Sequence, residues 1–191
     1  MPDPAPAADR RFAFAVGAIL AAAAIVRVVL IFQMGSRYYF ADTGEYEAAA
    51  RSILAGHGPG AAIPRAPLYP ALMALGFFLF GDGNLTAVRM VQLAVGLSVV
   101  ALTMRLGHVI AGRQGAVVAG LGAAFAPTLV FTTGMLYPTA LYAALLLAAT
   151  LIARDLDRRP GLLRGALLGL VILLAWLTDP VAAVPGLAIL T

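Results

Sequence analysis

The chain has 191 residues, of which 62% are hydrophobic and only 12% are charged, and its net charge is +4. Soluble globular domains are about 25% charged, so this composition excludes an ordinary soluble enzyme and a disordered chain. All thirteen basic residues are arginines, dispersed without a basic stripe, which argues against nucleic acid as a partner. There is no cysteine, which excludes thiol catalysis and cysteine-ligated zinc. The composition predicts an all-α polytopic membrane protein.

The first predicted membrane span covers residues 12–34, a largely apolar stretch in which Arg27 is the one charged residue. About 20 apolar residues in a helix cross the hydrocarbon core of a bilayer, and this stretch is too long for the core of a signal peptide. It follows a short tail, residues 1–11, that ends in two arginines. Because cytoplasmic segments carry the excess of arginine, the tail is expected in the cytoplasm, with residues 12–191 forming one transmembrane domain.

Residues 35–84 form the long outer loop between the first two spans, and their pattern predicts two short helices at the outer membrane surface. The first covers about 42–55, because Asp42 has the form of a helix N-cap and Glu45 is the acid at the third helical position. The second covers about 67–80, where the chain is apolar on all sides but too short to cross a bilayer. The loop is therefore expected to be folded.

Four further spans are predicted after this loop, which makes about five in all. The second span covers about 85–104. The uncharged run 115–153 must hold two helices, because it is nearly twice as long as one crossing requires. Their break is placed at 132–138, where a glycine and a proline interrupt the run. The fifth span is Leu162–Thr178, and the 11 residues after Pro180 are too short to cross again.

The distribution of arginines supports this threading. Eight arginines fall on segments assigned to the inside and four on segments assigned to the outside. The inside set is Arg10, Arg11, Arg105, Arg113, Arg154, Arg158, Arg159 and Arg164. The outside set is Arg37, Arg51, Arg65 and Arg89. The excess predicts a cytoplasmic N-terminus in the plasma (inner) membrane, and it puts the carboxylates of the long loop on the outer face.

Several short motifs follow one another in a distinctive order. Arg27 in the first span precedes Asp42-Thr43-Gly44-Glu45-Tyr46, which opens the first outer helix. Pro67-Leu68-Tyr69-Pro70-Ala71-Leu72 and then Val88-Arg89-Met90-Val91-Gln92 come later. In this order and spacing, over about residues 10–190, the chain resembles the N-terminal part of the GT-C glycosyltransferases. The resemblance is to the branch that contains the protein O-mannosyltransferases and the lipid A aminoarabinose transferase.

The resemblance implies that a sugar moves from a polyprenyl-phosphate carrier to an acceptor on the outer face, with Asp42 at the active site as the catalytic base. An arginine or a hydrated divalent cation would stabilise the departing phosphate. No metal-ligating residues are predicted. We expect an outer cavity bounded by Asp42, the 132–139 turn and Asp179, with Arg27 approaching from below. The candidate substrate-binding residues are Glu45, Arg27, Arg65, Arg89 and Asp179.

Each candidate also has a purely structural interpretation. Asp42 and Glu45 together would suffice to cap a helix. Arg27 is costly inside a bilayer, so it should face the other helices or extend toward the membrane surface. Arg65 and Arg89 would serve equally as anchors at the membrane interface, although a guanidinium there is able to bind a lipid phosphate through two parallel hydrogen bonds.

The chain departs from the family pattern at two outer positions. Thr139 stands where family members commonly carry an acid, and Asp179, which would also serve to cap a broken helix, stands where they often carry an arginine. Catalytic members have about twice as many spans, so the chain is expected to be a fragment or a shortened relative. The alternative function is therefore a non-catalytic membrane subunit, with lipid and other membrane subunits as its partners.

Overall fold

The computed structural model describes residues 4–60 and 66–180, and these ranges confirm the all-α class. They contain seven helices and no strand. The helices are α1 (Pro4–Met34), α2 (Thr43–Leu54), α3 (Leu68–Phe80), α4 (Leu85–Phe125), α5 (Pro127–Gly134), α6 (Thr139–Arg158) and α7 (Leu162–Thr178). Because α1 already begins at Pro4, the tail predicted for residues 1–11 is helical from that residue onward.

Three of these helices, α1, α4 and α6, are long and apolar enough to cross a membrane, and α7 is a shorter apolar helix. Helix α4 is broken at Ala111 and Gly112, which divide it into two arms. The sequence predicts that residues 105–114 connect two spans. In the structure, the first arm stays helical up to a tight turn at Gly112, whose φ of 64° is a backbone angle that favours glycine. After a second break at Pro127, α5 prolongs the second arm. With the arms counted separately and α7 included, five helical segments correspond to the five predicted spans.

The two arms of α4 run antiparallel and pack with their backbones almost in contact. A Cβ atom built on Gly107 would lie 2.5 Å from the carbonyl oxygen of Gly115. Farther from the turn, where the same two arms remain in contact, a Cβ on Gly120 would lie 2.6 Å from the side chain of Met104. Small residues allow such close approach between membrane helices, where dispersion forces drive association. The glycines of this hairpin are therefore packing residues.

Replacing Gly107 by alanine should lower the free energy of unfolding by about 1–3 kcal/mol, because the added methyl group meets a backbone that cannot yield easily. Gly169→Ala in α7 is the matched control, since a Cβ there meets nothing within 4 Å. Reversible unfolding in SDS, followed by the fluorescence of the single tryptophan, Trp176, measures both variants. Equal stabilities would show that the arms are not in contact at this point.

The helices gather the charged residues at two opposite ends. At one end, Arg113 forms an ion pair with Asp9, and Arg105 lies 3.6 Å from Asp155. We call this the arginine-rich end, and it carries Arg10, Arg11, Arg105, Arg113, Arg154, Arg158, Arg159 and Arg164. We call the opposite end, formed by α2, α3, the segment 35–42 and the 134–138 turn, the loop end. The eight arginines assigned to one side of the membrane thus lie at one end of the molecule.

Both predicted outer helices are present at the loop end, as α2 and α3. They form one hydrophobic cluster with the start of α4 and the 134–138 turn. Its buried members are Tyr46, Ala50, Tyr69, Met73, Ala74, Phe77, Leu85, Val88 and Leu136. The last turn of α3 exposes Phe78, Leu79 and Phe80, so this helix presents an apolar surface to its surroundings. The prediction that the long loop contains two helices is confirmed within its described residues, 35–60 and 66–84.

Candidate functional site

Asp42 lies directly before α2, as predicted, but its carboxylate does not cap that helix. Its backbone is in the right-handed helical region, with φ −67° and ψ −16°, and its side chain makes no capping hydrogen bond. A capping side chain normally requires an extended backbone at this residue, from which it folds back over the first turn. Instead, the Asp42 carbonyl accepts hydrogen bonds from the backbone N–H groups of Glu45 and Tyr46, each at 3.1 Å. The interpretation of Asp42 as a side-chain cap is therefore wrong.

Aromatic contacts hold the start of α2 over the turn between α5 and α6. The ring centroids of Phe40 and Tyr137 are 5.4 Å apart, and those of Tyr46 and Tyr137 are 5.8 Å apart in an edge-on arrangement. Tyr46 also packs edge-on against Tyr69 of α3 at 5.1 Å. Edge-on and tilted ring pairs contribute beyond their buried area. These contacts bring the segment that contains Asp42 onto the 132–139 turn, which the sequence predicts as its neighbour.

The turn under Asp42 is strained and buried at one residue. Leu136 has a φ of 48°, an unfavourable value for a residue with a Cβ atom, and its side chain is fully buried in the cluster beneath α2 and α3. Such a conformation costs about 1–3 kcal/mol and persists only where the surrounding structure enforces it. Beyond the turn, Thr139 is exposed, while the half-buried Asp179 interacts electrostatically with Tyr142 of α6. Asp42, the turn and Asp179 therefore all lie at the loop end.

Arg27 is fully buried below this turn and binds backbone carbonyls. Its guanidinium donates to the carbonyls of Ala124 at 2.8 Å and Ala123 at 3.1 Å, and its Nε atom donates to the hydroxyl of Thr133 at 3.3 Å. In a continuous helix, the N–H of residue 127 would bond to the Ala123 carbonyl, but Pro127 has no N–H. Arg27 supplies the donor that the proline removes, as a buried carbonyl in a membrane requires. Arg27 thus faces the other helices, as predicted.

Arg89 performs a similar task at the loop end and is also fully buried. Its Nε atom donates to the Gly134 carbonyl at 2.7 Å, and its terminal nitrogens donate to the carbonyls of Gly35 and Arg37. These carbonyls lie at or just beyond the C-terminal ends of α5 and α1, where helices have unpaired acceptors and a partial negative charge. Arg89 is therefore a connection between three helices rather than an anchor at the membrane interface.

Gln92, one turn along the same face of α4, is a buried polar residue that is not among the predicted site residues. It is 1% exposed, accepts a hydrogen bond from the Tyr69 hydroxyl at 2.7 Å and donates to the Thr132 carbonyl at 2.6 Å. Burial raises the pKa of Tyr69 well above its usual value, so the hydroxyl remains a donor. A sequence signal for this buried site does exist: Gln92 follows Arg89 by three residues within an apolar span. Polar residues inside a span need hydrogen-bond partners, so such a pair indicates buried contacts with other helices.

A second polar network lies at the surface of the loop end and joins its segments to one another. Tyr38 donates to the carboxylate of Glu47, and this hydrogen bond raises the pKa of Tyr38. Arg51 donates to Glu47 at 2.8 Å, forms an ion pair with Asp82 and lies 5.7 Å from the centre of the Phe77 ring. The segment before α2, α2 itself and the turn before α4 are thereby connected.

The other predicted site features are located as follows. Glu45 lies half-buried in the first turn of α2. Arg65 lies outside the described residues. Within residues 4–60 and 66–180, no group of three or more histidine or acidic side chains is placed to hold a metal ion.

No protein-family model matches the chain, and neither a curated protein nor a solved structure matches it. The all-α membrane character and the loop-end geometry therefore come from the residues of this chain alone.

Proposed function

We propose that this chain is the N-terminal part of a membrane glycosyltransferase that moves a sugar from a polyprenyl-phosphate carrier to an acceptor on the outer face. The observation that carries the proposal is the position of Asp42, half-buried at the start of a surface helix and held over the α5–α6 turn. The resemblance to the GT-C family supplies the reaction. The loop end supplies the Asp42 carboxylate on the packed helices α2 and α3, at a surface where a lipid-linked donor and a polar acceptor are able to meet.

In the proposed reaction, Asp42 accepts the proton of the acceptor hydroxyl while the hydroxyl oxygen attacks the anomeric carbon of the sugar. The bond between that carbon and the phosphate oxygen breaks, and polyprenyl phosphate leaves. The guanidinium groups of Arg27 and Arg89 already donate to backbone carbonyls, so they are occupied by acceptors of the protein itself. Arg37 is exposed at the same end and forms no ion pair within the described ranges, so we assign to it the electrostatic stabilisation of the leaving phosphate.

This function requires the loop end to face the outside of the plasma membrane and the N-terminus to lie in the cytoplasm. The gathering of eight arginines at the opposite end supports this orientation, because cytoplasmic segments of membrane proteins carry the excess of basic residues.

Single cysteines at Ala55 and Gly161 should report this orientation. The chain has no cysteine of its own, and both positions are exposed. In intact cells, a membrane-impermeant maleimide should label Ala55→Cys directly, and it should label Gly161→Cys only after the membrane is permeabilised. The reverse pattern would place Asp42 on the cytoplasmic side and would contradict the proposed function.

The direct test of the proposal is sugar transfer by membranes that contain the full-length protein of which this chain is the N-terminal part. The membranes are incubated with radiolabelled polyprenyl-phosphate sugars, and labelled lipid and protein products are separated and counted. We expect transfer above that of membranes from cells lacking the chain. Equal counts with every donor sugar would reject the proposal.

One observation favours the alternative of a non-catalytic membrane subunit. Both buried arginines donate to backbone carbonyls, which is a structural use of residues that the resemblance places near the phosphate. A subunit of this kind would co-purify with another membrane protein and would show no transfer with any donor.

A further inference from the structure

A small polar cavity lies at the arginine-rich end, between the end of α6 and the start of α7. Its volume is about 220 Å³, and it is lined by Asp155, Arg158, Arg159 and Arg164. It is at the opposite end of the molecule from Asp42, so it is independent of the proposed transfer site.

The positive charge of this cavity is not balanced within the described part of the chain. Neither Arg158 nor Arg159 forms an ion pair there, while Asp155 lies 3.6 Å from Arg105 of α4. Arg164 donates to the backbone carbonyl of Arg159 at 3.0 Å, which fixes its side chain beside the other two. Three guanidinium groups brought together repel one another, and a bound anion removes that repulsion. Arginine is also the side chain best suited to bind phosphate through paired hydrogen bonds.

The surroundings of the cavity indicate where this anion comes from. Leu162 and Leu163, in the first turn of α7, are 92% and 82% exposed, so an apolar surface adjoins the arginines. Helix α7 also begins without a side-chain capping hydrogen bond, and the N-terminal end of a helix favours negative charge. A free phosphate ion would use the arginines alone. A phospholipid would use both surfaces, with its phosphate among the arginines and its acyl chains along the leucines.

We propose that this cavity binds the phosphate headgroup of an anionic phospholipid in the membrane leaflet at the arginine-rich end. Clusters of arginine at the membrane end of a helix are the usual means of recognising such headgroups. The arginines thus hold a specific lipid in addition to setting the orientation of the chain. The apolar residues that follow them keep its acyl chains against α7.

Native mass spectrometry of the purified full chain in non-ionic detergent tests this proposal. The probes are dioleoylphosphatidylglycerol, zwitterionic dioleoylphosphatidylcholine and inorganic phosphate. The test variant is Arg158→Gln/Arg159→Gln. The control is Arg10→Gln/Arg11→Gln, which removes an adjacent pair of exposed arginines from the same end. Circular dichroism establishes that both variants keep the helix content of the unchanged protein.

We expect the unchanged protein and the control to retain one phosphatidylglycerol molecule in preference to phosphatidylcholine. The test variant should bind it about 30-fold more weakly, which is roughly five- to sixfold for each arginine lost. Equal retention by test and control variants would overturn the proposal, and so would equal retention of the two lipids. Displacement of phosphatidylglycerol by millimolar inorganic phosphate would also overturn it, because the site would then recognise the free ion.

Discussion

Replacement of Arg89 by methionine should lower the free energy of unfolding by about 3–5 kcal/mol, since each buried carbonyl left without a donor costs roughly 1–3 kcal/mol. Arg89 provides donors to three carbonyls, those of Gly134, Gly35 and Arg37. Methionine fills a similar volume but donates nothing. Within a membrane, few water molecules are present to donate hydrogen bonds to the carbonyls that lose Arg89. The ends of α1 and α5 should therefore separate from α4.

The measurement is reversible unfolding in SDS, followed by Trp176 fluorescence. Arg105→Met is the matched control, because Arg105 is on the same helix, its side chain is 64% exposed and its carboxylate partner is 3.6 Å away. An exposed ion pair of this kind contributes at most about 1 kcal/mol. Arg89→Lys, which keeps the charge but not the three-way geometry, should fall between the two. If Arg89→Met were no less stable than Arg105→Met, the carbonyl contacts would not hold the loop end together.

Replacement of Asp42 by asparagine should reduce sugar transfer by at least about 10²-fold, the usual contribution of a general base. The amide has nearly the same shape as the carboxylate but cannot accept the proton of the acceptor hydroxyl. The substitution removes no capping hydrogen bond to α2, and asparagine keeps the shape of the side chain and one acceptor oxygen, so the free energy of unfolding should change by no more than about 1 kcal/mol. Loss of transfer at nearly unchanged stability is therefore the expected combination.

Asp82→Asn is the control for this experiment, because Asp82 is an exposed carboxylate at the same end and is paired with Arg51. It should keep most of the transfer activity. Should Asp42→Asn transfer sugar as fast as Asp82→Asn, the base would have to be a different residue, and Asp42 would retain only a structural place at the start of α2.

The helices themselves could be predicted because their signals are local. The second outer helix begins after Pro67 and ends at Phe80 before a glycine, and an apolar run between such residues is readable from the sequence alone. The break at 132–138 was equally readable from its glycine and proline. In contrast, the break at Pro127 was not predicted, because a single proline within an apolar run is also compatible with a kinked helix.

The site was less predictable because it depends on distant partners and on single backbone angles. That Arg27 would face the other helices followed from the cost of a charge in the membrane, but Thr133 is 106 residues away along the chain. The absence of a capping bond at Asp42 follows from the φ and ψ of that one residue, which the motif Asp42-Thr43-Gly44-Glu45 does not determine. Likewise, nothing in the sequence around Leu136 marks it as the residue with a positive φ.

The most direct test of the central claim is to locate the bound donor by photocrosslinking. A polyprenyl-phosphate sugar that carries a diazirine on the sugar is bound to the full chain in nanodiscs, irradiated, and mapped by mass spectrometry. We predict crosslinks in residues 37–46 and 134–142, which competing unlabelled donor removes and phosphatidylglycerol does not. Crosslinks confined to the arginine-rich end, or crosslinks that unlabelled donor fails to reduce, would contradict the assignment of sugar transfer to the loop end.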